Sequence, residues 1–132
     1  MLTTLLAIGA GGASGAIVRW LLEVMWNAIF PAIPLGTLAA NLLGGYLAGI
    51  AISVFSAFPN AAPELRLLVI TGFLGGLTTF STFTVQIGVL LQEQRMVTAM
   101  FAIALHVCGS LALFFLGMGT CILFKSLLFI KH

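Results

Sequence analysis

The chain has 132 residues, of which 61% are hydrophobic and 6% are charged, and its formal net charge is +2. With a mean hydropathy of +1.24, this composition excludes a soluble globular protein, and so few basic residues offer no surface for nucleic acid. A helix of about 20 apolar residues crosses the roughly 30 Å of bilayer hydrocarbon, and the chain has room for about four. We therefore predict an all-α integral membrane protein with one four-helix transmembrane domain over residues 1–132.

The first predicted helix runs from about Leu2 to Ile29 and ends before Pro31 and Pro34. Proline lacks a backbone N–H and disfavours helix in the residue before it. The stretch from Met1 to Val18 has no lysine or arginine that would form the positive region of a signal peptide. We therefore expect this segment to be a helix of the mature protein.

Arg19 lies near the end of this first helix and is followed by Trp20, Glu23 and Trp26. One interpretation is an interfacial arginine whose charge reaches the lipid headgroups between two tryptophans. The other is a cation that lines a vestibule and attracts anions. The spacing alone leaves both open.

The second predicted helix runs from about Leu35 to Phe58, and Asn41 lies near its start. The asparagine amide offers two donors and an acceptor at a depth where lipid offers none. Asn41 is therefore either half of a structural hydrogen bond between helices or a donor that lines a pore.

Small residues four apart occur on both of these helices, and such pairs let helix backbones approach closely. The pairs are Gly11 with Gly15, Ala40 with Gly44, and Gly45 with Gly49. We predict tight helix packing and self-association from them.

The third predicted helix runs from about Leu65 to Leu91, after a turn at residues 59–64, and it contains the sequence GFLGGLTTFSTF at residues 72–83. Irregular backbone at membrane depth survives only where protein or a water-filled cavity covers it. We therefore predict that this helix is broken in the middle of the membrane and forms either a permeation pathway or an ion site. Phe80 and Phe83 share a face, and ring edges favour anions, whereas the carbonyls of a broken helix favour cations.

The fourth predicted helix runs from about Met96 to Leu123 and follows a short polar connection at residues 92–95. His106 and Ser110 are four apart and share a face of this helix. An intramembrane histidine is either a hydrogen-bonded packing residue or a functional group. A metal site at His106 is not expected, because the other histidine is His132 and no further ligand has suitable spacing.

Four spans place both termini and the loop at 59–64 on one face of the membrane, and the loops at 31–34 and 92–95 on the other. The first face carries Arg66, Lys125 and Lys131, and the second carries Arg19 and Arg95. Three basic residues on one face against two on the other hardly specify an orientation in the membrane. The chain either inserts in both orientations and pairs about a two-fold axis in the membrane, or takes one orientation set by Lys125 and Lys131.

Three segments, GGASGAIVRW at 11–20, GTLAANLLGGYLAG at 36–49 and GFLGGLTTFSTF at 72–83, resemble the Fluc fluoride-channel family, whose members are also called CrcB proteins. The resemblance covers the whole chain in order and length. It implies an antiparallel, dual-topology homodimer in the bacterial inner membrane, with two fluoride pores and a structural sodium ion at the dimer interface. The implied function is passive, fluoride-selective export from the cytoplasm.

The resemblance also implies roles for individual residues. Phe80 and Phe83 would line the fluoride path with Asn41 as their polar partner. The break in the third helix would lie over Gly75–Thr78, and the backbone carbonyls of Gly75 and Thr78 would bind sodium there. The remaining implied residues are the hydroxyl track of Ser81, Thr82 and Ser110, the vestibule cation Arg19, and His106, which stands where some members have an aromatic hydroxyl. Gln86 departs from the family pattern, since relatives can carry a glutamate there, and it argues against an acidic gate.

Other classes fit the chain less well. A dual-topology multidrug exporter would have a carboxylate deep in the first helix, whereas Glu23 lies near its end. A non-transporting assembly subunit would explain the glycine pairs but not the break, hydroxyls and phenylalanines together. An enzyme is not expected, because the chain has no aspartate and no base spaced beside a serine.

Overall fold

The computed structural model describes residues 1–130 and contains four helical spans, with no strand among those residues. Helix α1 covers Leu2–Trp26 and α2 covers Leu35–Ala57. The third span consists of α3 at residues 63–77 and α4 at Phe80–Gln92, and the fourth is α5 at Met96–Ile130. All four spans are long and apolar enough to cross a membrane, which confirms the predicted number. Lys131 and His132 lie outside the described residues.

Two predicted helix ends were wrong by several residues. Helix α1 ends at Trp26 rather than Ile29, because Asn27 turns its amide to the start of α2. Its Oδ1 accepts from the Thr37 N–H at 3.1 Å, and its Nδ2 donates to Thr37 Oγ1 at 3.4 Å. Helix α5 continues past the predicted end at Leu123, because no proline or glycine follows Gly119 to stop it.

Glycines press α1 against α3. Gly11 and Gly15 are both buried, and a methyl group at Gly15 would collide with the Phe73 carbonyl. From the other helix, a methyl group at Gly76 would collide with the Gly12 carbonyl. Without Cβ atoms at these positions the two backbones touch, which is how small residues hold helices together where lipid offers no hydrophobic driving force.

A second glycine seam joins α2 to α5, and these two helices run side by side in the same direction. A methyl group at Gly49 would collide with the Phe114 carbonyl, and one at Gly117 would collide with the Tyr46 carbonyl. At Gly45 the added carbon would lie 2.6 Å from the Ser110 carbonyl oxygen. The small-residue pairs predicted to support close packing therefore act within one chain, while self-association stays a prediction.

The third span is interrupted at Thr78 and Thr79. Both residues are extended, with φ −80° and ψ 153° for Thr78 and φ −145° and ψ 116° for Thr79. The break predicted over Gly75–Thr78 agrees with the structure only at Thr78, because Gly75 and Gly76 are still helical. The glycine at 76 serves the contact with α1, and the backbone changes direction only at the two threonines.

The two parts of the third span have different neighbours. Helix α3, which includes a π-helical stretch at Leu67–Leu74, packs along α1. Helix α4 instead packs on the beginning of α5 through larger side chains. That apolar cluster contains Ile33, Ile87, Leu90, Ala99 and Ala102. The chain thus exchanges one packing partner for another at the interruption.

Candidate functional site

Asn41 holds the interruption from the side of α2. Its Oδ1 accepts a hydrogen bond from the Thr79 N–H at 2.7 Å, and its Nδ2 donates to the Thr79 carbonyl at 3.1 Å. Both backbone groups of one extended, buried residue are thereby satisfied by one amide. This matters because an unpaired backbone group costs several kcal/mol in hydrocarbon, about the same as losing a hydrogen bond in an apolar solvent.

The same amide assigns the tautomer of His106. The Thr79 N–H can only donate, so Oδ1 of Asn41 must face it and Nδ2 must face the histidine, where it lies 3.0 Å from Nδ1. Nδ1 therefore accepts, and the proton of the neutral ring is on Nε2. Both N–H bonds of Asn41 are used within the protein, and the remaining donor of this group is the His106 Nε2–H.

Thr79 also caps helix α4. Its Oγ1 accepts from the Thr82 N–H at 3.1 Å, lies 3.1 Å from Thr82 Oγ1, and lies 3.3 Å from Ser81 Oγ. An N-cap hydroxyl of this kind stabilises a helix by about 1 kcal/mol. Our sequence analysis missed Thr79, although a hydroxyl residue directly before an apolar helical run is a recognised N-cap signal.

Three rings follow one another beside this cap. Phe80 and Phe83 have centroids 5.7 Å apart and are tilted by 50°, and Phe83 lies 4.7 Å from the His106 ring. Phe80 is 78% exposed, whereas His106 is buried. The row therefore runs from the surface of the subunit to the Asn41 amide.

A groove of about 470 Å³ runs along this row. It brings together seven of the ten predicted site residues, namely Asn41, Gly75, Thr78, Phe80, Phe83, His106 and Ser110. Ser81 and Thr82 are not among its lining residues, but both contact Thr79, which is. Arg19 is not among the residues that line the groove, because it extends from α1 to the opposite side of the third span.

The interruption deprives four carbonyls, those of residues 75–78, of the donors that they would have in a continuous helix, and three of them can be followed. In a continuous helix the Gly75 carbonyl would accept from the Thr79 N–H, which instead donates to Asn41. The Thr78 carbonyl would accept from the Thr82 N–H, which instead donates to Thr79 Oγ1. The Gly76 carbonyl accepts from Arg19 Nε at 3.1 Å. Gly75 and Thr78 therefore have acceptor oxygens that neither of these amides fills.

Carbonyl oxygens are the ligands on which a cation would have to depend here. Within residues 1–130 no three side chains of histidine, cysteine, aspartate or glutamate come close enough to hold a metal ion. Hard cations such as sodium prefer oxygen, and the carbonyls of discontinuous membrane helices bind them in transporters. The donor set at Gly75 and Thr78 thus fits a monovalent cation and not a transition metal.

Three further polar side chains that the sequence singled out lie outside the groove, namely Arg19, Glu23 and Gln86. Arg19 NH1 is 3.5 Å from Glu23 Oε1, and their side chains are 25% and 17% exposed. Gln86 Nε2 donates to Thr37 Oγ1 at 2.9 Å, so this residue ties α4 to α2. An ionised glutamate at 86 would lack that donor. The hydrogen bond to Thr37 is therefore a structural reason for a glutamine at this position.

Comparison with known proteins identifies the family. The model for "CrcB-like protein, Camphor Resistance (CrcB)" matches residues 6–118. A protein of Desulfovibrio desulfuricans named "Fluoride-specific ion channel FluC" is 65% identical over 126 residues, covering 96% of this chain and 98% of the relative. Proteins of the same name from Tolumonas auensis and Pseudomonas putida are 60% and 57% identical, each covering 91% of this chain and 94% of the relative. This chain therefore belongs to the CrcB-like protein family.

Proposed function

We propose that the protein is a fluoride-selective ion channel that lets fluoride leave the cytoplasm passively. The observation that carries the proposal is the groove beside the interruption, in a chain 65% identical to a protein named as a fluoride-specific ion channel. The groove combines ring edges and hydrogen-bond donors with helical spans that are apolar enough to cross a membrane. Among residues 1–130, no carboxylate that would repel an anion lines it.

The donors along the groove suit a small, strongly hydrated anion. Fluoride gives up water only where donors replace it in close succession, and each must bind weakly enough to let the ion move on. His106 and Ser110 are four apart on α5, and Phe80 and Phe83 line the same groove, where the positive edge of an aromatic ring attracts an anion. We propose that Ser81 and Thr82 continue this path behind the Thr79 cap.

In this proposal Asn41 acts on the path chiefly by holding other groups. Its amide fixes Thr79 and turns the donor nitrogen of His106 away from itself. The resemblance made Asn41 the polar partner of the phenylalanines, and the contact between Phe83 and His106 supports that placement. The resemblance made Arg19 the vestibule cation, but it lies outside the residues that line the groove and its guanidinium faces Glu23.

We propose further that Gly75 and Thr78 bind a structural sodium ion through their backbone carbonyls. The diversion of the Thr79 and Thr82 amides to other acceptors supports this choice of carbonyls over that of Gly76. A bound cation would add positive potential near an anion path. Replacing sodium by a large organic cation should lower the thermal unfolding midpoint of the purified protein, and an unchanged midpoint would count against the site.

We also propose that the active unit is an antiparallel homodimer in the bacterial inner membrane. The nearly even distribution of lysine and arginine supports insertion in both orientations. The exposed Phe80 and the exposed Gly75 support a second copy that covers the groove, because both carry predicted functions that an open lipid-facing surface would not serve. Two copies related by a two-fold axis would give two equivalent paths.

The test is anion efflux from liposomes. Purified protein is reconstituted in vesicles loaded with fluoride or chloride, and release is followed with ion-selective electrodes. Rapid fluoride release without chloride release is expected. A well-folded dimer, of twice the 13.9 kDa chain mass, that releases no fluoride would overturn the proposal and favour a non-transporting assembly subunit. Proton-coupled release of organic cations would favour the multidrug exporter.

A further inference from the structure

We infer that Arg19 is a positioning residue for the interruption and acts through the hydrogen bond from its Nε to the Gly76 carbonyl. The bond is 3.1 Å long and joins two residues 57 positions apart in the chain. This role is distinct from that of a vestibule charge. It rests on the proposed function in one respect, namely that the interruption is part of the ion pathway.

The bond lies at the end of α3, where the chain is about to leave its helix. Gly76 is pressed on α1, since an added methyl group there would meet the Gly12 carbonyl and lie 3.0 Å from the Ala16 nitrogen. The Arg19 Nε–H replaces the donor that the Gly76 carbonyl loses where the helix stops. It therefore fixes the last turn of α3 against α1, while Gly75 and Thr78 on either side keep facing the groove.

Glu23 supports this interpretation. Its Oε1 is buried and has no hydrogen-bond partner among the described residues, and the Arg19 NH1 lies 3.5 Å away. The carboxylate holds one end of the guanidinium while Nε turns to Gly76. Because an opposite charge lies so close, the pair presents little net charge to an approaching anion. The contact with Gly76 is then the larger contribution of Arg19.

Three substitutions separate the hydrogen bond from the charge. Arg19→Gln places an amide nitrogen the same number of bonds from Cα as the arginine Nε, without the charge. Arg19→Lys keeps the charge but has a methylene group at that position. Arg19→Met has neither the donor nor the charge and has a similar length.

The measurement is fluoride and chloride efflux from liposomes over a range of fluoride concentrations. We expect Arg19→Gln to keep the maximal fluoride flux within about a factor of two, and Arg19→Lys and Arg19→Met to lose about tenfold, the equivalent of one hydrogen bond to a charged group. We also expect the two impaired variants to discriminate less between fluoride and chloride. If Arg19 acted as a vestibule charge, its loss would instead raise the half-saturating fluoride concentration and leave the maximal flux unchanged.

The opposite ranking would overturn the inference: normal flux in Arg19→Lys with impaired flux in Arg19→Gln. Repeating the series with added impermeant salt checks this. If the flux was lost because a charge was lost, the difference between variants should disappear as the Debye length falls to a few ångströms. Dimer recovery from a size-exclusion column controls for folding. If the unsubstituted protein releases no fluoride, the proposed function has failed; if only the ranking is wrong, the role of Arg19 alone has failed.

Discussion

The two parts of the third span differ in how they are held. At four glycines, 11, 15, 72 and 76, helix α3 contacts α1 through backbone, because these residues have no Cβ to keep the two chains apart. Helix α4 contacts α5 through side chains of ordinary size, such as Ile87 and Leu90. The first contact permits almost no adjustment and the second permits repacking. The rigid part thus ends in the acceptor carbonyls, and the adaptable part begins with the phenylalanines.

The largest expected effect comes from breaking the rigid part. A valine at Gly15 would drive side-chain atoms into the Phe73 carbonyl, and the backbone cannot yield without separating α1 from α3. We expect Gly15→Val to give no monodisperse protein in detergent. Gly9→Val is the matched control in the same helix, because a Cβ at Gly9 meets nothing within 4 Å. Equal recovery of both variants would show that the seam is not rigid.

The next effect concerns the amide at the junction of the two parts. Asn41→Asp keeps an acceptor for the Thr79 N–H but loses both donors and adds a negative charge beside the groove. We expect fluoride flux to fall by at least about tenfold, since each lost hydrogen bond in a buried network costs about 1–3 kcal/mol. Liposome efflux measures it. Asn60→Asp, in the exposed loop, should conduct normally. If both variants lose flux to the same extent, an added negative charge anywhere in the protein would explain the loss, and the hydrogen bonds of Asn41 would not.

A smaller effect is expected from the adaptable part. Phe83→Ile or Phe80→Ile keeps much of the apolar volume but loses the ring edge, so flux should fall while the dimer remains intact. Phe83 should be the more sensitive of the two, because it also contacts the His106 ring at 4.7 Å. Phe115→Ile, at an exposed position on α5, is the control. Normal conduction in both groove variants would remove the rings from the mechanism.

The smallest effect is expected at the cap. Thr79→Val removes the hydroxyl that accepts from the Thr82 N–H, at a cost of about 1 kcal/mol, whereas Thr79→Ser keeps it. Hydrogen exchange of the amides at residues 80–83 should accelerate in Thr79→Val alone. Acceleration in α3 as well would mean that the two parts of the span open together and are not independent.

The sequence predicted the four spans because their hydrophobic stretches are punctuated by prolines and polar loops. It also singled out seven of the residues that line the groove, partly because hydroxyls and phenylalanines in a glycine-containing membrane segment are unusual and partly through the family resemblance. The position of the interruption could not be predicted in this way. Glycine breaks a helix or lets a neighbouring helix approach, and only the contact between Gly76 and Gly12 decides between the two.

The hydrogen bonds of Asn41 and Arg19 were equally beyond sequence reasoning. Asn41 and Thr79 are 38 residues apart, and Arg19 and Gly76 are 57 apart, so their contacts depend on the register in which the helices pack. The polar character of Asn41 and Arg19 indicated that each residue is important, but it did not indicate which residue each one bonds. The end of α5 was predicted at Leu123, but no proline or glycine follows Gly119 and the helix continues to Ile130.

The length of α5 has a practical use. At a rise of about 1.5 Å per residue, its 35 residues extend about 52 Å, against about 30 Å of hydrocarbon. One end of this helix must stand clear of the lipid even when the helix is tilted. In an antiparallel pair each surface of the membrane would expose one such end, so a fluorophore or epitope attached there would be reached by impermeant reagents from both compartments. A chain with a single orientation would react from one compartment only.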